Sequence, residues 1–527
     1  MPDAPPAAGR RRSATRPTRP ATVPVPASPM EQTQSQSQSA PAAADPLLFS
    51  GYRLHPSAFD ELFAAEGRAH PHCKVLLDRL GGLAVSEFQA KRSAADLAFI
   101  NQGITFSVYS DRRGTEKIFP FDIIPRPIAA GEWATLESGL AQRLRALNMF
   151  LLDVYHDRRI VQEGVVPEFM IATCKGYRPE MAGFTPPGKV YVHVCGTDLV
   201  RDPAGNFLVL EDNLRTPSGV SYVLENRVVM KRTFPQLFQA CRIRRVEEYP
   251  QRLREALTET APGAAGDDPT VVLLSPGPYN SAYFEHSFLA RHMGVELVLG
   301  PDLFVHDDVV YLKTTRGPQR VDVIYRRLDD DFLDPNTFRK DSLLGVPDLF
   351  KAYKAGNVTL ANAVGTGVAD DKAIYPYVED IIRFYLSEEP ILRNVPTYIC
   401  ARDQDKAYVV DNLDKLVVKS VNESGGYGML MGPFATRQQR EEFRAKVLDN
   451  PRNFVAQPVV TLSTCPTWTD EGLAPRHVDL RPYIVTGKGT WVLPGGLSRT
   501  ALVKGSLVVN SSQGGGSKDT WVMEGGK

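Results

Sequence analysis

Two kinds of apolar run divide the chain, and they limit the folds that it can form. After Tyr249 the runs are continuous and alternate with a helical pattern: TVVLLSPG (270–277), the stretch AYFEHSFLARHMG closed by Gly294, VELVLG, and VDVIYRR (321–327). Such runs are typical of buried parallel strands. Towards the C-terminus they become short and turn-linked, in LDKLVVKS, FVAQPVV, HVDLRPYIV, TWVLPGG and SLVVNSS, which indicates antiparallel sheets. With no detectable repeat, the sequence predicts a multi-domain α/β and α+β protein.

The composition excludes several classes of protein. The 527 residues include 61 basic and 61 acidic side chains, so a partner selected by bulk charge, such as DNA bound by a histone-like protein, is not expected. No run reaches the roughly 18 apolar residues of a membrane-spanning helix. The six cysteines are scattered without a CxxC pair, which argues against a disulfide framework or a zinc site and fits a reducing cytosol. At roughly 100–200 residues per domain, the length suggests about three domains.

Residues 1–46 differ from the rest of the chain. They are rich in proline, contain a basic cluster from Arg10 to Arg19 and the tract QTQSQSQS, and hold almost no large aliphatic side chains. Nothing here offsets the entropy of ordering the backbone, so we predict a disordered tail. A secretory signal would need an apolar region that is missing, whereas an organelle transit peptide shares the arginine and serine bias and is the alternative.

A predicted hairpin contains the first candidate functional residues. KVYVHV (189–194) and NFLVLEDN (206–213) are joined by the turn segment RDPAGN. Glu211 and Asn213 lie two positions apart, on one face of the second strand, and Asp198 at the end of the first strand comes beside Glu211. Oxygen ligands without His or Cys suit Mg²⁺. The alternative is an ordinary hairpin with a solvated, charged end.

A second candidate site is the segment VVKSVNESGGYGMLMG (417–432). Lys419 lies on a predicted buried strand, and a loop rich in serine and glycine follows. Glycines let backbone N–H groups approach phosphate oxygens, and the lysine adds a point charge. The residue order is neither a Walker P-loop nor GxGxxG, because Met431 stands at the third glycine position. A glycine-rich hairpin turn is the structural alternative.

The C-terminal strands contribute two arginines. Arg481 in RHVDLRPYIV and Arg499 in GGLSRTAL lie on or beside predicted strands. Two guanidinium groups aimed at one groove would suit phosphate or a developing acyl phosphate, although ordinary surface salt bridges explain them equally well. The motifs of hydrolases are missing: there is no GxSxG and no HExxH, and the nine histidines show no metal spacing.

Taken together, these segments resemble the ATP-grasp superfamily in a rotated order. There, a lysine in a DK helix precedes a strand lysine with a glycine loop, an adenine hinge, arginine-bearing strands and an acidic strand ending in Glu-x-Asn. Here DDKAIYPYV supplies Lys372, and NVPTYIC lies between the two lysines, where the superfamily often has a Gly-Val/Ile-Pro segment. FVAQPVV resembles the hinge, but GTDLV and VLEDNLRTPSG come first. From about residue 50 to 524 the chain therefore resembles the circularly permuted ATP-grasp type 2 family of bacterial proteins. Such a rotation is physically reasonable if the usual termini are close in space and exposed.

The resemblance implies a role for each of these residues, and the implied cofactors are ATP and Mg²⁺. Grouped by expected role, they are Lys372 and Lys419 on the α- and β-phosphates of ATP; Gly425, Gly426 and Gly428 in the loop over the triphosphate; Gln457 and Val459 in the adenine hinge; Asp198, Glu211 and Asn213 on one or two Mg²⁺ ions; and Arg481, Arg499 and Arg215 on the transferring phosphoryl group.

The implied activity is that of a carboxylate–amine ligase, in which an acyl phosphate forms and an amine displaces its phosphate. We expect residues 47–250 and 372–527 to form the two parts of the permuted ATP-grasp unit, and 251–371 to form a pre-ATP-grasp substrate domain. The strand-end loops SPGPYNSAYFEH and YRRLDDDFLDP of that domain should face the cleft. The candidate substrate contacts are Arg326, Arg327, Asp329 and Asn280, with a domain-interface salt bridge as the alternative for the first three.

Two other classes of function stay open. One is an ATP-binding, non-catalytic partner in an assembly, and the other is an ATP-dependent phosphotransferase with a non-carboxylate acceptor. The ligase is favoured because both lysines and all three oxygen ligands are present. We expect small-molecule or peptide substrates, no nucleic-acid or membrane partner, and a cytoplasmic location.

Overall fold

A computed structural model describes residues 45–107, 116–422, 428–509 and 515–525 of the chain. The predicted disordered tail, 1–46, lies outside the described residues except for Asp45 and Pro46. The α-helices are α1 Lys74–Leu80, α2 Val85–Asn101, α3 Ala130–Val154, α4 Arg159–Gln162, α5 Glu168–Ala172, α6 Val220–Thr233, α7 Pro235–Ala240, α8 Tyr249–Glu259, α9 Tyr283–Met293, α10 Asp330–Leu333, α11 Leu349–Lys354, α12 Gly367–Asp370, α13 Val378–Leu386, α14 Asp403–Asp411 and α15 Arg437–Asp449.

The strands, numbered in chain order, are β1 Phe63–Ala65, β2 Arg68–Ala69, β3 Thr105–Ser107, β4 Glu116–Ile118, β5 Phe121–Ile128, β6 Val194–Arg201, β7 Phe207–Asn213, β8 Val271–Leu274, β9 Glu296–Val298, β10 Leu303–His306, β11 Val309–Thr314, β12 Gly317–Arg320, β13 Val323–Arg326, β14 Thr359–Ala361, β15 Arg393–Asn394, β16 Tyr398–Ile399, β17 Leu416–Ser420, β18 Met429–Met431, β19 Phe454–Pro458, β20 Thr464–Thr469, β21 Gly472–Arg481, β22 Tyr483–Thr486, β23 Thr490–Val492, β24 Leu497–Thr500 and β25 Gly516–Val522.

The largest sheet joins two segments that are far apart in sequence. Its main strand order is β15-β7-β6-β21-β24-β25-β5. The hairpin β6–β7 is antiparallel, β21 pairs with β6 at Leu480 and Leu199, and β24 pairs with β21 at Arg499 and Asp479. The acidic strands that come first in the chain therefore lie beside the arginine-bearing strands that come last.

Two predicted strands differ from the structure. The hairpin is confirmed, but its first strand covers Val194–Arg201 rather than 189–194, because Pro187–Lys189 forms a 3-10 turn. Pairing begins only at Val194 with β22 and at Gly196 with β7. Asp198 therefore lies within the strand, directly opposite Glu211. The run 506–512 is not a strand over 506–509, because its apolar side chains pack into a small cluster instead of pairing; residues 510–512 lie outside the described ranges.

The α/β region forms a four-stranded sheet in the order β14-β13-β8-β9, and all its pairs are parallel, as predicted. Helix α9 follows β8 and ends at Gly294, whose φ of 67° provides the left-handed cap. The long helix α3 buries its apolar face, from Trp133 to Val154, in a core cluster that also includes Leu274 of β8. Parallel pairing brings the carboxyl ends of these strands to one edge of the sheet, which faces the site described below.

A second four-stranded sheet, β16-β19-β17-β18, is antiparallel and carries Lys419 and Gln457 on adjacent strands. All six cysteines are buried and free. Within the described ranges, no helix combines the length and apolar character that a membrane span requires. The domain boundaries near residues 250 and 371 stay a prediction.

Candidate active site

One cavity of about 620 Å³ collects charged residues from across the chain. This volume is in the range of small-molecule sites, roughly 300–1,000 Å³. Of the residues singled out in the sequence, the cavity is lined by Asp198, Glu211, Asn213, Arg215, Asp329, Lys372, Lys419, Gln457, Val459, Arg481 and Arg499. The folded chain thus brings together groups that are up to 301 positions apart, since Arg499 bonds to Asp198.

Asp198 lies at the centre of an ion-pair network. Arg481 donates to both of its carboxylate oxygens, at 2.5 and 2.8 Å, and Arg499 donates to Oδ2 at 2.7 Å. Burial acts to raise the pKa of Asp198, but the two guanidinium groups outweigh it and hold the pKa below its usual range. The carboxylate is therefore ionised, and it orients both arginines towards the cavity.

Asp479 completes this network, and the sequence analysis did not single it out. It also lines the cavity, and its carboxylate accepts hydrogen bonds from Nε of Arg499, at 3.0 Å to each oxygen. A usable signal was present, because Asp479 stands two residues before Arg481 on β21 and so shares its face. The opposite residue on β24 is Arg499. Neighbouring strands therefore present alternating negative and positive groups.

The two predicted phosphate-binding lysines both line the cavity. Lys372, in the turn before α13, pairs with Glu211 at 3.2 Å between Nζ and Oε2. Lys419 donates to Oε1 of Gln457 at 2.7 Å. Burial, together with the nearby charge of Lys372, lowers the pKa of Lys419 to about 8, although Glu211 acts in the opposite direction. An anion bound beside Lys419 would therefore stabilise its charged form.

The oxygen atoms of Glu211 and Asn213 form a donor set for a cation. Both residues are on β7, two positions apart, and Asn213 uses its amide nitrogen to donate to the carbonyl oxygen of Gly196 at 3.0 Å. Asp198 directs both oxygens to arginines. In the part of the chain that the structure describes, no group of three or more His, Cys, Asp or Glu is arranged for metal binding. Two oxygen donors fit a hard cation that takes its other ligands from phosphate and water.

Part of the cavity lining is apolar. It includes Val417, Met429, Met431 and Val459, and Gln457 also lines the cavity. Apolar side chains with a polar group beside them are compatible with a flat heterocycle, and the hinge assignment of this segment stays a prediction. Gly428 adopts a φ of 64° and accepts a hydrogen bond from the backbone of Ser420, but it is not on the cavity wall. Gly425 and Gly426 lie outside the described residues.

Comparison with known proteins identifies the family. The model of the circularly permuted ATP-grasp type 2 family matches residues 125–501. The chain belongs to this family. It is accordingly an ATP-grasp enzyme, an ATP-dependent ligase that joins a carboxylate to an amine through a C–N bond.

Three known proteins show the extent of the similarity. An uncharacterized protein of Synechocystis sp. is 57% identical over 468 residues, which cover 89% of this chain and 97% of that protein. A Frankia casuarinae protein with the provisional name glutamate–cysteine ligase 2-2 is 44% identical over 474 residues, 89% of this chain but only 54% of that protein. The apoform of a glutathione synthetase-like effector from Globodera pallida has a TM-score of 0.52 at 10% identity, covering 82% and 96% of the two chains, which supports the fold alone.

In this ATP-grasp chain, part of the predicted substrate region reaches the cavity. Asp329 lines it and lies 3.7 Å from Arg215, which is also 3.5 Å from Asp370. Asn280 lies off the wall and closes a turn by accepting the N–H of residue 282 at 2.9 Å, whereas its neighbour Ser281 lines the cavity. Arg215 and Asp329 are therefore placed together, and Asn280 is not placed with them.

Arg326 and Arg327 have structural partners instead of cavity positions. Arg326 is buried, donates to three backbone oxygens and pairs with Asp330 at 2.7 Å. Arg327 is buried and pairs with Glu285 at 3.3 Å. Both salt bridges lie within residues 251–371 and not at the expected domain interface, and the assignment of these two arginines as substrate contacts is not carried forward.

Apart from Arg215, the sequence analysis assigned no role to the residues of segment 214–219, which directly follows Asn213 and lines the cavity through residues 215–218. Asp370 accepts the N–H groups of residues 214 and 215 at 2.7 and 3.1 Å, and Asn362 donates to their carbonyl oxygens at 2.9 and 3.1 Å. The only local signal was a proline and a glycine after the acidic strand. Side chains from elsewhere in the chain therefore hold this wall of the cavity.

Proposed function

We propose that the protein forms an amide from a carboxylate and an amine through an acyl-phosphate intermediate, with Mg²⁺ bound alongside ATP. The observation that supports this most directly is the shared cavity of Lys372, Lys419, Arg481 and Arg499 with the oxygen donors of β7. Phosphoryl transfer depends mainly on positioning and on neutralising the charge of the phosphate oxygens. This cavity offers these four cations and Arg215 for that purpose, and apolar side chains for the base.

The proposed reaction has two steps. An oxygen of the substrate carboxylate attacks the γ-phosphorus of ATP, the bond from that phosphorus to the bridging oxygen breaks, and ADP leaves with the electron pair. An amine then attacks the acyl carbon, phosphate leaves, and the nitrogen loses a proton as the amide forms. Arg481 and Arg499 would donate to the oxygens of the transferring group, because guanidinium groups match such oxygens in charge and geometry.

The proposed metal assignment follows from the donor chemistry. Bound Mg²⁺ supplies charge neutralisation at the phosphate oxygens. Glu211 and Asn213 would hold it, whereas Asp198 would act by orienting Arg481 and Arg499. Lys372 would then exchange its bond with Glu211 for one with a phosphate oxygen.

A panel of candidate acids and amines, each supplied as a substrate, would identify the acid. The panel includes glutamate as an acid and cysteine as an amine, because the name of the Frankia casuarinae relative contains both. Because this chain spans about half of that protein, other amino acids and short peptides belong in the panel as well.

Trapping with hydroxylamine tests the proposal, since an acyl phosphate reacts with it to give a hydroxamate and free phosphate. The protein with ATP, Mg²⁺, one acid and hydroxylamine should release ADP and form the hydroxamate together. Lys419→Ala should abolish both products, whereas the matched variant Lys415→Ala, at an exposed lysine that bonds to Asn412, should keep the wild-type rate. Release of ADP without hydroxamate would identify a phosphotransferase, and unaltered ATP with every acid would identify a binding protein; either result contradicts the proposal.

A further inference from the structure

A buried ion pair, Glu285 with Arg327, is not part of the cavity lining. Glu285 is on α9, and Arg327 directly follows β13; their side chains are 1% and 2% exposed and lie 3.3 Å apart. A buried ion pair contributes little net stability compared with apolar side chains, because both charges lose their hydration. The contacts of this pair with the backbone indicate a different role.

The pair holds the segment 217–219. Oε2 of Glu285 accepts the N–H of residue 219 at 2.7 Å, and both the N–H and the hydroxyl of Ser221 at 3.0 Å. Nη1 of Arg327 donates to the carbonyl oxygen of residue 217 at 2.8 Å. An apolar pair of the same size would make none of these bonds. The peptide groups on both sides of Ser218 are therefore fixed by α9 and by the residue that follows β13.

Ser218 connects this segment to the charged network. Its carbonyl oxygen accepts the hydroxyl of Tyr483 at 2.8 Å and lies 3.5 Å from Nη1 of Arg481, the arginine that pairs with Asp198. The packing leaves little room for adjustment, because a Cβ on Gly219 would come within 2.6 Å of the Tyr483 hydroxyl. A shift of the segment would therefore move an acceptor that faces Arg481.

We propose that Glu285 and Arg327 are positioning residues for phosphoryl transfer: by holding 217–219, they place the Ser218 carbonyl so that Arg481 is oriented towards the transferring group. The inference rests on the proposed function. The α/β region then contributes to catalysis by fixing a wall of the cavity through α9 and the residue that follows β13. Nucleotide binding should be unaffected, because the described bonds of the pair do not include Lys372 or Lys419.

Glu285→Gln tests the inference because it keeps the size of the side chain and removes the charge opposite Arg327. We expect kcat for hydroxamate formation, with the acid that gives the most product, to fall by about 100-fold, the effect of a misplacement of about 1 Å in a reacting site. The Kd for MgATP should stay within about twofold of wild type. Arg327→Lys, which keeps a cationic donor, should retain more activity than Arg327→Met.

The matched control is a second buried pair, Arg227 with Asp519, which lie 2.8 Å apart and do not line the cavity. Arg227→Met should lower the urea midpoint of unfolding and leave kcat per folded molecule unchanged. A merely structural role for Glu285 would give that same pattern.

The outcomes separate the two proposals. No hydroxamate from wild-type protein with any acid would refute the proposed function. If the wild type forms hydroxamate, an unchanged kcat in Glu285→Gln would overturn the positioning role alone. A parallel change of kcat and of the Kd for MgATP in that variant would do the same. A fall in kcat at constant Kd, with partial rescue in Arg327→Lys, would support it.

Discussion

The pH dependence of ATP binding tests the electrostatics of the site through one residue. Burial, together with the neighbouring charge of Lys372, lowers the pKa of Lys419 to about 8, from an ordinary value of 10.5. Phosphate binds the protonated form, so this lysine contributes fully below pH 8 and its contribution is lost as the pH rises through 8. A solvated lysine would keep its charge over the same interval.

The size of the effect follows from the pKa. The protonated fraction of Lys419 in the free enzyme falls from about 0.9 at pH 7 to about 0.1 at pH 9. If only the protonated form binds, the Kd for nucleotide rises about tenfold, or about 1.4 kcal/mol. Calorimetric titration with a non-hydrolysable ATP analogue, at constant Mg²⁺ and ionic strength, measures the Kd at pH 7, 8 and 9.

Two variants isolate this lysine from other groups that titrate in the same interval. Lys419→Arg places a guanidinium that stays charged, so its Kd should change little between pH 7 and 9. Lys415→Arg, at the exposed control position, should keep the wild-type dependence. A change of less than twofold in the wild type, or an equal slope in Lys419→Arg, would refute the reasoning.

Two further changes test the acidic hairpin and the ion-pair network. Glu211→Gln removes an anionic oxygen and should raise the Mg²⁺ concentration for half-maximal ADP release by roughly tenfold; an unchanged Mg²⁺ titration would exclude Glu211 as a ligand. Arg499→Met leaves the buried carboxylate of Asp479 without its guanidinium partner, so the free energy of unfolding in urea should fall by about 3–5 kcal/mol. Arg339→Met, at an exposed pair, should leave it nearly unchanged, and an equally small loss in Arg499→Met would contradict the network.

Local sequence patterns predicted helices and strands correctly where a pattern is typical of only one type of secondary structure. The apolar run from 270 and the helix that closes at Gly294 correspond to β8 and α9. The prediction of a strand over 189–194 was wrong, because the apolar side chains of this run are buried without strand pairing. Tyr191 and Val192 pack into the main core cluster. Burial and strand pairing favour the same residue types, so composition alone does not separate them.

The site was predictable where the residue type itself determines the chemistry, as with Lys419 and Glu211. The residues that hold the cavity wall were not predictable. Glu285 and Arg327 contact the segment 217–219 across 66 and 110 positions, and no window of sequence relates groups so far apart. A buried arginine at a strand end has the same appearance in the sequence whether it binds a substrate or a backbone oxygen.

Strand pairing explains how a rotated order of segments still forms one charged surface. β6 hydrogen-bonds with β7 on one side and with β21 on the other, so residues 194–213 and 472–500 belong to one sheet. The bonds between neighbouring strands do not depend on which strand is synthesised first, and a change of order alters only the connecting loops. The alternation of side chains between the two faces of a strand is also independent of the order of segments in the chain, and it keeps Asp479 and Arg481 on one face. The contact of Arg499 with Asp198 therefore follows from the order of the strands in the sheet rather than from any single motif. Local sequence patterns do not determine that order, so they do not predict this contact.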